Sequence, residues 1–273
     1  MYALQGKVAV VTGAGSGIGR ALAQLLAAKG CRLAIADINE AGLAETAASL
    51  PTPPLTQKLD VADRAAVYAF AARVQKELGT AHVVINNAGV AVSQTVANLT
   101  YEDFEWLMGI NFWGVVYGTK AFLPMMQAQN DGVMVNVSSI FGIIGVPTQS
   151  AYNAAKFGVR GFTEALRHEL DAANRGVKAI CVHPGGIKTN IVAASRHYVG
   201  LDGNQDVARA TTDFARMAKT TPAQAAQTIV DGIEQGAARI LIGADAQLMD
   251  RIQRWMPVNY WKFIAWIAQK MKG

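Results

Sequence analysis

Tyr152 and Lys156 lie four positions apart, a spacing that places both side chains on one face of a helix, about one turn from each other. A phenol exchanges protons poorly at neutral pH, because its ordinary pKa is about 10. An ammonium group beside it favours the phenolate and lowers that pKa. The pair is therefore a plausible acid/base for moving a proton onto or off an alcohol oxygen. Tyrosine and lysine at this spacing are packing or surface residues in many helices. The rest of the chain must therefore show whether this pair is catalytic.

The composition is that of a globular protein with a substantial core: 273 residues, 51% hydrophobic and 16% charged, with a net charge of +5. The basic residues are scattered, which argues against nucleic-acid binding. No stretch approaches the length of a transmembrane helix, and no signal-peptide pattern precedes the first strand-like run. We expect a cytoplasmic protein whose Cys31 and Cys181 are buried, reduced thiols.

Strand-like apolar runs alternate with helical patterns along the chain. The predicted helices are 17–29, 40–50, about 65–78, about 101–127 and 151–173. The predicted strands are 7–12, 32–36, 55–59, 83–85, 133–137, 177–182 and 240–242. Continuous apolar strands separated by helices predict an α/β fold, a Rossmann-type doubly wound parallel sheet of about seven strands with helices on both faces. No linker divides the chain, so we expect a single domain over 1–273.

A glycine-rich segment joins the first predicted strand to the first helix, with glycines at Gly13, Gly17 and Gly19. Glycines there permit a tight turn and a close approach of the backbone to a ligand. The free N–H groups and partial positive charge of the following helix can hold a pyrophosphate. A tight strand-to-helix turn without a ligand is the alternative. The position of the glycine-rich segment in the first βαβ unit favours dinucleotide binding over that alternative.

Asp37 ends the second predicted strand, where an acid can accept hydrogen bonds from the hydroxyls of an adenosine ribose. Its carboxylate would repel a 2′-phosphate, and no cation occupies Ser16 or Ile38 to compensate. The alternative is an acid at a helix N-terminus, together with Asn39 and Glu40. We predict the ribose contact, and NAD rather than NADP as cofactor.

With these motifs in place, the chain resembles the short-chain dehydrogenase/reductase family, in its compact single-domain branch. The resemblance covers nearly the whole chain and rests on five motifs in the family's order. They are Thr12 to Gly19, Asp60-Val61, Asn86-Asn87-Ala88-Gly89, the block from Ser138-Ser139 to Tyr152 and Lys156, and Pro184-Gly185 with Thr189.

The resemblance implies the remaining cofactor contacts. Asp60 would contact the adenine amino group, and Val61 would lie against the adenine ring. Ile187 would offer backbone groups to the nicotinamide carboxamide, and Thr189 its hydroxyl. The other cofactor-binding residues implied are Asn87, Ala88, Gly89, Pro184 and Gly185, with Ser16, Ile18 and Ile38 beside the glycine turn and Asp37.

The resemblance also implies the catalytic residues. Ser139, thirteen positions before Tyr152, would hold the substrate oxygen and stabilise its developing charge. Lys156 would lower the pKa of Tyr152 and bind the nicotinamide ribose. Asn111 would order a water beside Lys156 and continue the proton path to solvent, unless it is an ordinary polar helix residue. We interpret Ser138 and His183 as structural.

Together these residues predict reversible hydride transfer between NAD and an apolar secondary alcohol or ketone, with no metal. One alternative is an NADP-dependent reductase of 3-ketoacyl thioesters, which Asp37 argues against. Another is a non-catalytic dinucleotide-binding scaffold, which is disfavoured because Asn111, Ser139, Tyr152 and Lys156 are all present. Epimerases of the family's extended branch are disfavoured by the short chain. By resemblance we expect a homodimer or homotetramer.

Two segments are predicted to shape the substrate end. The segment 191–221 is a predicted substrate lid, and residues 140–146 add apolar surface, although these residues could simply pack the lid. The segment 245–273 is predicted to be an amphipathic aromatic C-terminal extension, which Pro257 splits into two short helices. We favour a subunit interface or a cap on the pocket for this extension over peripheral contact with a membrane.

Overall fold

The computed structural model describes residues 1–192, 194–196 and 207–270. Within them, seven parallel strands form one sheet, in the order third, second, first, fourth, fifth, sixth, seventh. The strands are β1 (Val8–Thr12), β2 (Arg32–Asp37), β3 (Leu55–Lys58), β4 (Val83–Asn86), β5 (Gly132–Val137), β6 (Val177–Pro184) and β7 (Arg239–Ile242). The strand order reverses direction between β1 and β4, as in a doubly wound sheet.

Ten helices flank this sheet in the described part of the chain. They are α1 (Gly17–Ala28), α2 (Glu40–Ala48), α3 (Arg64–Leu78), α4 (Tyr101–Met108), α5 (Gly114–Gln129), α6 (Ser150–Ala173), α7 (Val207–Met217), α8 (Pro222–Gln235), α9 (Ala244–Trp255) and α10 (Tyr260–Lys270). A π-helical turn, Gly109–Trp113, joins α4 to α5, and a short 3₁₀ turn, Ile140–Gly142, follows β5.

The sheet is buried on both faces, because successive side chains of a strand point to opposite sides. In β1, Ala9 and Val11 pack with α1 and α8, whereas Val8 and Val10 pack with α3, α5 and α6. These four residues are at most 2% exposed. The continuous apolar run of β1 is therefore the signature of a central strand, and the predicted fold class is confirmed.

The prediction of one long helix over 101–127 is wrong in one respect, because a π-helical turn separates α4 from α5. The turn contains Asn111, whose side chain hydrogen-bonds in both directions with the backbone of Val90. A contact between segments that are distant in sequence leaves no trace in helical periodicity. Helices α7 and α8 were also not predicted, whereas the break at Pro257 separates α9 from α10 as expected.

Among the described helices, none is long and apolar enough to span a membrane. Cys31 and Cys181 are buried free thiols, as predicted. Both thiol pKa values are raised, chiefly by burial, to about 11 for Cys31 and about 12 for Cys181. Both side chains therefore stay protonated and pack as small apolar groups.

A buried polar network joins the centre of the sheet to the helices that carry the candidate site. The Asn86 amide donates to Asn136 Oδ1 at 2.8 Å, and the Asn136 amide donates to Thr163 Oγ1 on α6 at 3.0 Å. Thr119 on α5 also donates to Asn136 Oδ1, at 3.4 Å. Asn136 is fully buried, so its amide fixes β4, β5, α5 and α6 relative to one another.

We expect Asn136→Ala to lower the free energy of unfolding by about 3 kcal/mol, because it leaves the Asn86 amide and other buried groups without partners. Urea-induced unfolding of the variant and the parent chain measures this difference. The exposed Asn98→Ala is the matched control and should change stability by less than about 0.5 kcal/mol. Equal effects of the two substitutions would contradict a structural role for the network.

Candidate active site

The candidate site residues lie along one edge of the sheet, at or just beyond the carboxyl ends of β1 to β6 or on the π-helical turn and α6 that pack there. Parallel strands bring these ends together, and ligands of open α/β sheets bind in the crevice there. Each connection leaving this edge carries part of the predicted set: the glycine turn, the Asn87–Gly89 turn, the Ser139 segment and the loop from Gly185 to Thr189.

The glycine turn has the backbone that its sequence predicts. Gly13 and Gly17 adopt φ values of +67° and +52°, which residues with a β-carbon rarely adopt. A β-carbon on Gly13 would lie 2.7 Å from Ala88 Cα, and one on Gly19 would collide with the Gly13 carbonyl oxygen. The Ser16 side chain does not cap α1. The N–H groups at the start of α1 are thus available to an anionic ligand.

Asp37 lies directly against this turn. Its carboxylate accepts hydrogen bonds from the backbone N–H groups of Gly15 and Asn39, each at 2.8 Å. Ile38 beside it is 61% exposed. Arg20 is a nearby cation that sequence reasoning did not consider. Its guanidinium donates to the Gly15 carbonyl at 2.6 Å and pairs with Glu45 at 2.8 Å.

The turn after β4 is fastened to β1 through Thr12. Its hydroxyl oxygen accepts from the backbone N–H groups of Asn87 and Ala88 at 3.1 and 3.2 Å, and the Asn87 amide donates to the Thr12 carbonyl at 3.0 Å. Thr12 belongs to the glycine motif, but sequence reasoning assigned it no role. Its hydroxyl holds Asn87, Ala88 and Gly89 against the glycine turn.

Asn111 and Lys156 converge beside Gly89. The Asn111 side chain accepts from the Val90 N–H and donates to the Val90 carbonyl, both at 2.8 Å. A β-carbon on Gly89 would lie 3.3 Å from Asn111 Oδ1 and 3.6 Å from Lys156 Nζ. The structure therefore brings Asn111 and Lys156 to one point, with the Asn111 side chain already committed to Val90.

Lys156 is 3% exposed, and its ammonium donates to the Val137 carbonyl at 2.9 Å. The Ser138 hydroxyl donates to the Lys156 carbonyl at 2.8 Å, which confirms a structural contact for Ser138. Burial lowers the pKa of Lys156 from 10.5 to about 8. At neutral pH the group still carries a positive charge in an apolar environment.

Tyr152 lies on α6 one turn before Lys156, with Lys156 Nζ 5.5 Å from the centre of the Tyr152 ring. Burial raises the pKa of Tyr152 to about 12, whereas a hydrogen bond with the Ser139 side chain opposes this rise. The expected lowering of the Tyr152 pKa is therefore not produced by the protein groups alone. Desolvation of the phenolate outweighs the stabilising contacts.

His183 contacts the backbone of Ser139 and is fully buried. Its Nδ1 lies 3.0 Å from the Ser139 carbonyl oxygen, and since a carbonyl only accepts, Nδ1 carries the hydrogen. Burial lowers the pKa of His183 to about 4, so the imidazole is neutral at physiological pH. This arrangement agrees with the structural interpretation of His183.

The loop after β6 closes over the start of α1. A β-carbon on Gly17 would lie 3.1 Å from Thr189 Cγ2, which places Thr189 beside the glycine turn. Ile187 is 4% exposed. The Gly186 N–H donates to the Asp245 carboxylate at 2.6 Å, a contact that sequence reasoning missed because Asp245 lies 59 positions away. Pro184 is the last residue of β6, and Gly185 begins this loop.

The residues predicted to contact adenine follow β3, the edge strand next to β2. The Asp60 side chain accepts from the Ala62 N–H at 2.9 Å and is exposed, whereas Val61 is 8% exposed. A β-carbon on Gly114 would lie 2.8 Å from Val61 Cγ2, so α5 packs closely on this residue. In the described part of the chain, no cluster of three or more His, Cys, Asp or Glu side chains could hold a metal ion.

Part of the predicted lid at 191–221 lies outside the described residues, including Tyr198, Val199 and Leu201. Its described portions contact the site region at two places. The backbone of Arg196 pairs with Val92, and its guanidinium stacks 3.6 Å above the centre of the Trp106 ring. Ile187 forms a β-bridge with Thr220 at the other end.

This fold and site define the chain as a Rossmann-type protein with a glycine turn suited to a dinucleotide. A family model described as short chain dehydrogenase matches residues 7–199. The chain belongs to the short-chain dehydrogenase/reductase family of oxidoreductases. It is 48% identical over 268 residues to the Mycobacterium tuberculosis protein named "Putative oxidoreductase SadH", covering 97% of this chain and 96% of that one.

Two further comparisons bear on ligands. A short-chain dehydrogenase/reductase from Burkholderia phymatum, solved in complex with NAD, superposes with a TM-score of 0.88 at 30% identity, over 94% of this chain and 95% of that one. The levodione reductase of Leifsonia aquatica is 37% identical over 195 residues, covering 69% of this chain and 72% of that one. This family binds a nicotinamide dinucleotide.

The buried ammonium of Lys156 predicts a pH-dependent stability difference. Between about pH 8 and the ordinary Lys pKa of 10.5, the unfolded chain binds more protons at this residue than the folded chain. Stability contributed by this group therefore rises with pH across that window. Relative to Lys156→Met, the parent chain should gain on the order of 3 kcal/mol from pH 7.5 to 10.5.

Urea-induced unfolding of both chains at several pH values measures this gain, and other titrating groups cancel in the difference. The exposed Lys262→Met provides the matched control and should show no such trend. A stability difference between parent and Lys156→Met that stays flat or falls with pH would contradict a buried cationic Lys156.

Proposed function

We propose that the protein is an NAD-dependent oxidoreductase that interconverts an apolar secondary alcohol and its ketone. The observation that carries this proposal is the convergence of Ser139, Tyr152, Lys156 and Asn111 at the same sheet edge as the glycine turn. Each of these side chains is held by a partner from another element, so the cluster is organised before a ligand binds.

The residues fit a dinucleotide along the sheet edge. The N–H groups at the start of α1 would hold the pyrophosphate, and Asp37 the adenosine ribose. Lys156 would donate to the nicotinamide ribose, since an ammonium has three donors and one of them reaches Val137. When bound, NAD supplies the acceptor or donor of hydride.

Tyr152 is the proposed acid and base. In alcohol oxidation its phenolate takes the hydroxyl proton, and in ketone reduction its phenol returns that proton. Ser139 holds the reacting oxygen through its hydroxyl. Tyr152 would ionise more readily in the complex than in the free chain, because the positive charge of an oxidised nicotinamide ring would add to that of Lys156 in favouring the phenolate.

Asn111 is proposed to supply a water that links Lys156 to solvent. Because its side chain is engaged with Val90, this role falls to its backbone carbonyl, which lies in a π-helical turn. A π-helical turn shifts the regular hydrogen-bonding pattern and is frequent at functional sites. The proton path from Tyr152 would then continue from Lys156 through that water to solvent.

The substrate and cofactor preference follow from the surroundings of the site. Ile140, Ile143 and Ile144 are buried beside Ser139 and favour an apolar substrate. Asp37, with exposed Ile38 beside it, favours NAD, and the NAD complex of the Burkholderia relative supports this choice. The name of the levodione reductase relative supports a ketone substrate. An NADP-dependent thioester reductase is the alternative that the cofactor test below would reveal.

We also propose a cytoplasmic homo-oligomer that pairs through α5 and α6. Trp113, the residue just before α5, and Phe157 on α6 are 47% and 42% exposed. The Trp113 ring stacks on Tyr117 of α5, with ring centres 5.7 Å apart. Such aromatic groups are enriched at subunit interfaces. Sedimentation velocity of the parent chain tests this assembly: a single monomer boundary at micromolar concentration would contradict it.

We expect Tyr152→Phe to lower kcat by about 10²-fold to 10⁴-fold, because it removes the proton donor and keeps the ring. Steady-state kinetics with apolar ketones and NADH measures the loss. NADH titration by fluorescence should show an affinity within about threefold of the parent. Tyr101→Phe, at an 85% exposed tyrosine, is the control. Appreciable turnover by Tyr152→Phe would refute the assignment.

We expect Asp37→Asn to raise affinity for NADP about tenfold, because it removes the charge that repels a 2′-phosphate while keeping the side-chain shape. Combining it with Ile38→Arg should raise that affinity further by adding a cation. Fluorescence titration with NADH and NADPH measures both changes. Tight NADPH binding by the parent chain would instead favour the NADP-dependent alternative.

A further inference from the structure

Helix α10 reaches the segment that follows Ser139 through one hydrogen bond. The Gly145 N–H donates to the Tyr260 hydroxyl oxygen at 2.8 Å. A β-carbon on Gly145 would lie 3.2 Å from that oxygen, so the absence of a side chain permits the close approach. The bond joins residues 115 positions apart and ties the C-terminal extension to the candidate active site.

Apolar packing accompanies this bond. Ile140, Ile143 and Ile144 are buried, at 8%, 1% and 4% exposure, and form a cluster separate from the two cores that cover the sheet. Tyr260 and Ile264 of α10 pack against this cluster. The cluster also takes in Ala246 and Met249 of α9. The segment after Ser139 thus receives its apolar cover from the two C-terminal helices.

The opposite side of the segment is fastened to α6 by Asn153. The Asn153 amide donates to the carbonyls of Phe141 and Ile144 at 2.6 and 2.8 Å, and its oxygen accepts from the Val146 N–H at 3.0 Å. The Phe141 ring meets the Tyr152 ring edge-on, with centres 6.0 Å apart. Asn153 therefore holds the Phe141 end of the segment beside the proposed proton donor, so a displacement at Gly145 alters the apolar surroundings and leaves the donor in place.

We propose that Tyr260 is a positioning residue that sets substrate selectivity. Its hydroxyl fixes Gly145, and through it the segment 140–146, as one wall of the pocket for the apolar part of the substrate. Asn153 fixes the same segment from α6, so the wall is held on both sides. This proposal rests on the proposed function and assigns the C-terminal helix to the site of its own chain.

The two sides of the extension are chemically different, which supports this assignment. Tyr260 and Ile264 meet the wall, whereas Trp261 and Lys262, next to Tyr260 in sequence, are exposed. A helix that only covered the sheet would not require a phenol aimed at a backbone N–H in the segment after the proposed catalytic serine. Tyr260→Phe removes that acceptor and keeps the aromatic packing.

The test compares Tyr260→Phe with the parent chain and with the exposed control Tyr101→Phe, using acetone and 2-decanone as ketones and NADH as cofactor. We expect Tyr260→Phe to reduce the ratio of kcat/KM for 2-decanone over acetone by about threefold to tenfold, mainly through KM. The kcat for acetone and the NADH affinity should be unchanged, as should all parameters of Tyr101→Phe. An unchanged selectivity ratio in an active enzyme overturns the proposal.

A measurement without turnover separates this proposal from the proposed function. Amide hydrogen exchange of a peptide covering 140–149 should be faster in Tyr260→Phe than in the parent, because the Gly145 N–H loses its partner. Equal exchange rates overturn the positioning role whatever the activity. Absence of turnover by the parent with every ketone and both cofactors overturns the proposed function, and the selectivity role with it, even if exchange responds.

Discussion

Burial of the Lys156 ammonium is the constraint on which the rest of the candidate site depends. A buried charge is costly unless hydrogen bonds surround it, and here one donor reaches the Val137 carbonyl. The backbone of the same residue is held by Ser138, so β5 and α6 are joined at this point. Lys156 Nζ also lies close to Gly89, next to Asn111 Oδ1. A ligand bearing hydroxyl groups there would offset the cost of burying the charge, which links cofactor binding to the stability of the site.

The pKa shifts of Tyr152 and Lys156 have the same cause, although the pKa of the tyrosine rises and that of the lysine falls. Burial makes each group resist its charged form, so the tyrosine is neutral and the lysine is only weakly held as a cation. A site in which both shifts originate from desolvation responds strongly to added charge, since the interior screens it poorly. The pKa of Tyr152 then depends on the charge of a ligand bound beside it as much as on the protein groups around it. The hydrogen bond from Ser139 is the protein's own contribution toward the phenolate.

Sequence reasoning predicted the parallel sheet from local patterns, whereas most of the candidate site residues were implied by the resemblance to the family and stay predictions. The glycines at Gly13 and Gly17 permit a tight turn, and both adopt a positive φ. The four-residue spacing of Tyr152 and Lys156 predicts a shared helix face, and both lie on α6. Contacts between distant segments were not predictable in the same way. The hydrogen bonds of Asn111 with Val90 and the contact of Asp245 with Gly186 depend on how elements meet, and no periodicity records them. The rise of the Tyr152 pKa by burial was likewise not predictable from the sequence, since burial depth is a property of the packed chain, and the lowering by Lys156 stays a prediction.

The architecture separates the proposed catalytic residues from the segment proposed to surround the substrate. The Asn136 amide network fixes the strands and helices that carry Asn111, Ser139, Tyr152 and Lys156, and this network lies within the central sheet. The wall after Ser139 is instead covered by α9 and α10, which belong to a different apolar cluster. Substitutions in those two helices can therefore reshape the wall while the sheet and the proton donor keep their geometry. The proposed substrate range could therefore change through the wall-facing positions of α9 and α10, provided that Asp245 keeps its hydrogen bond with the Gly186 N–H in the loop at the proposed cofactor end.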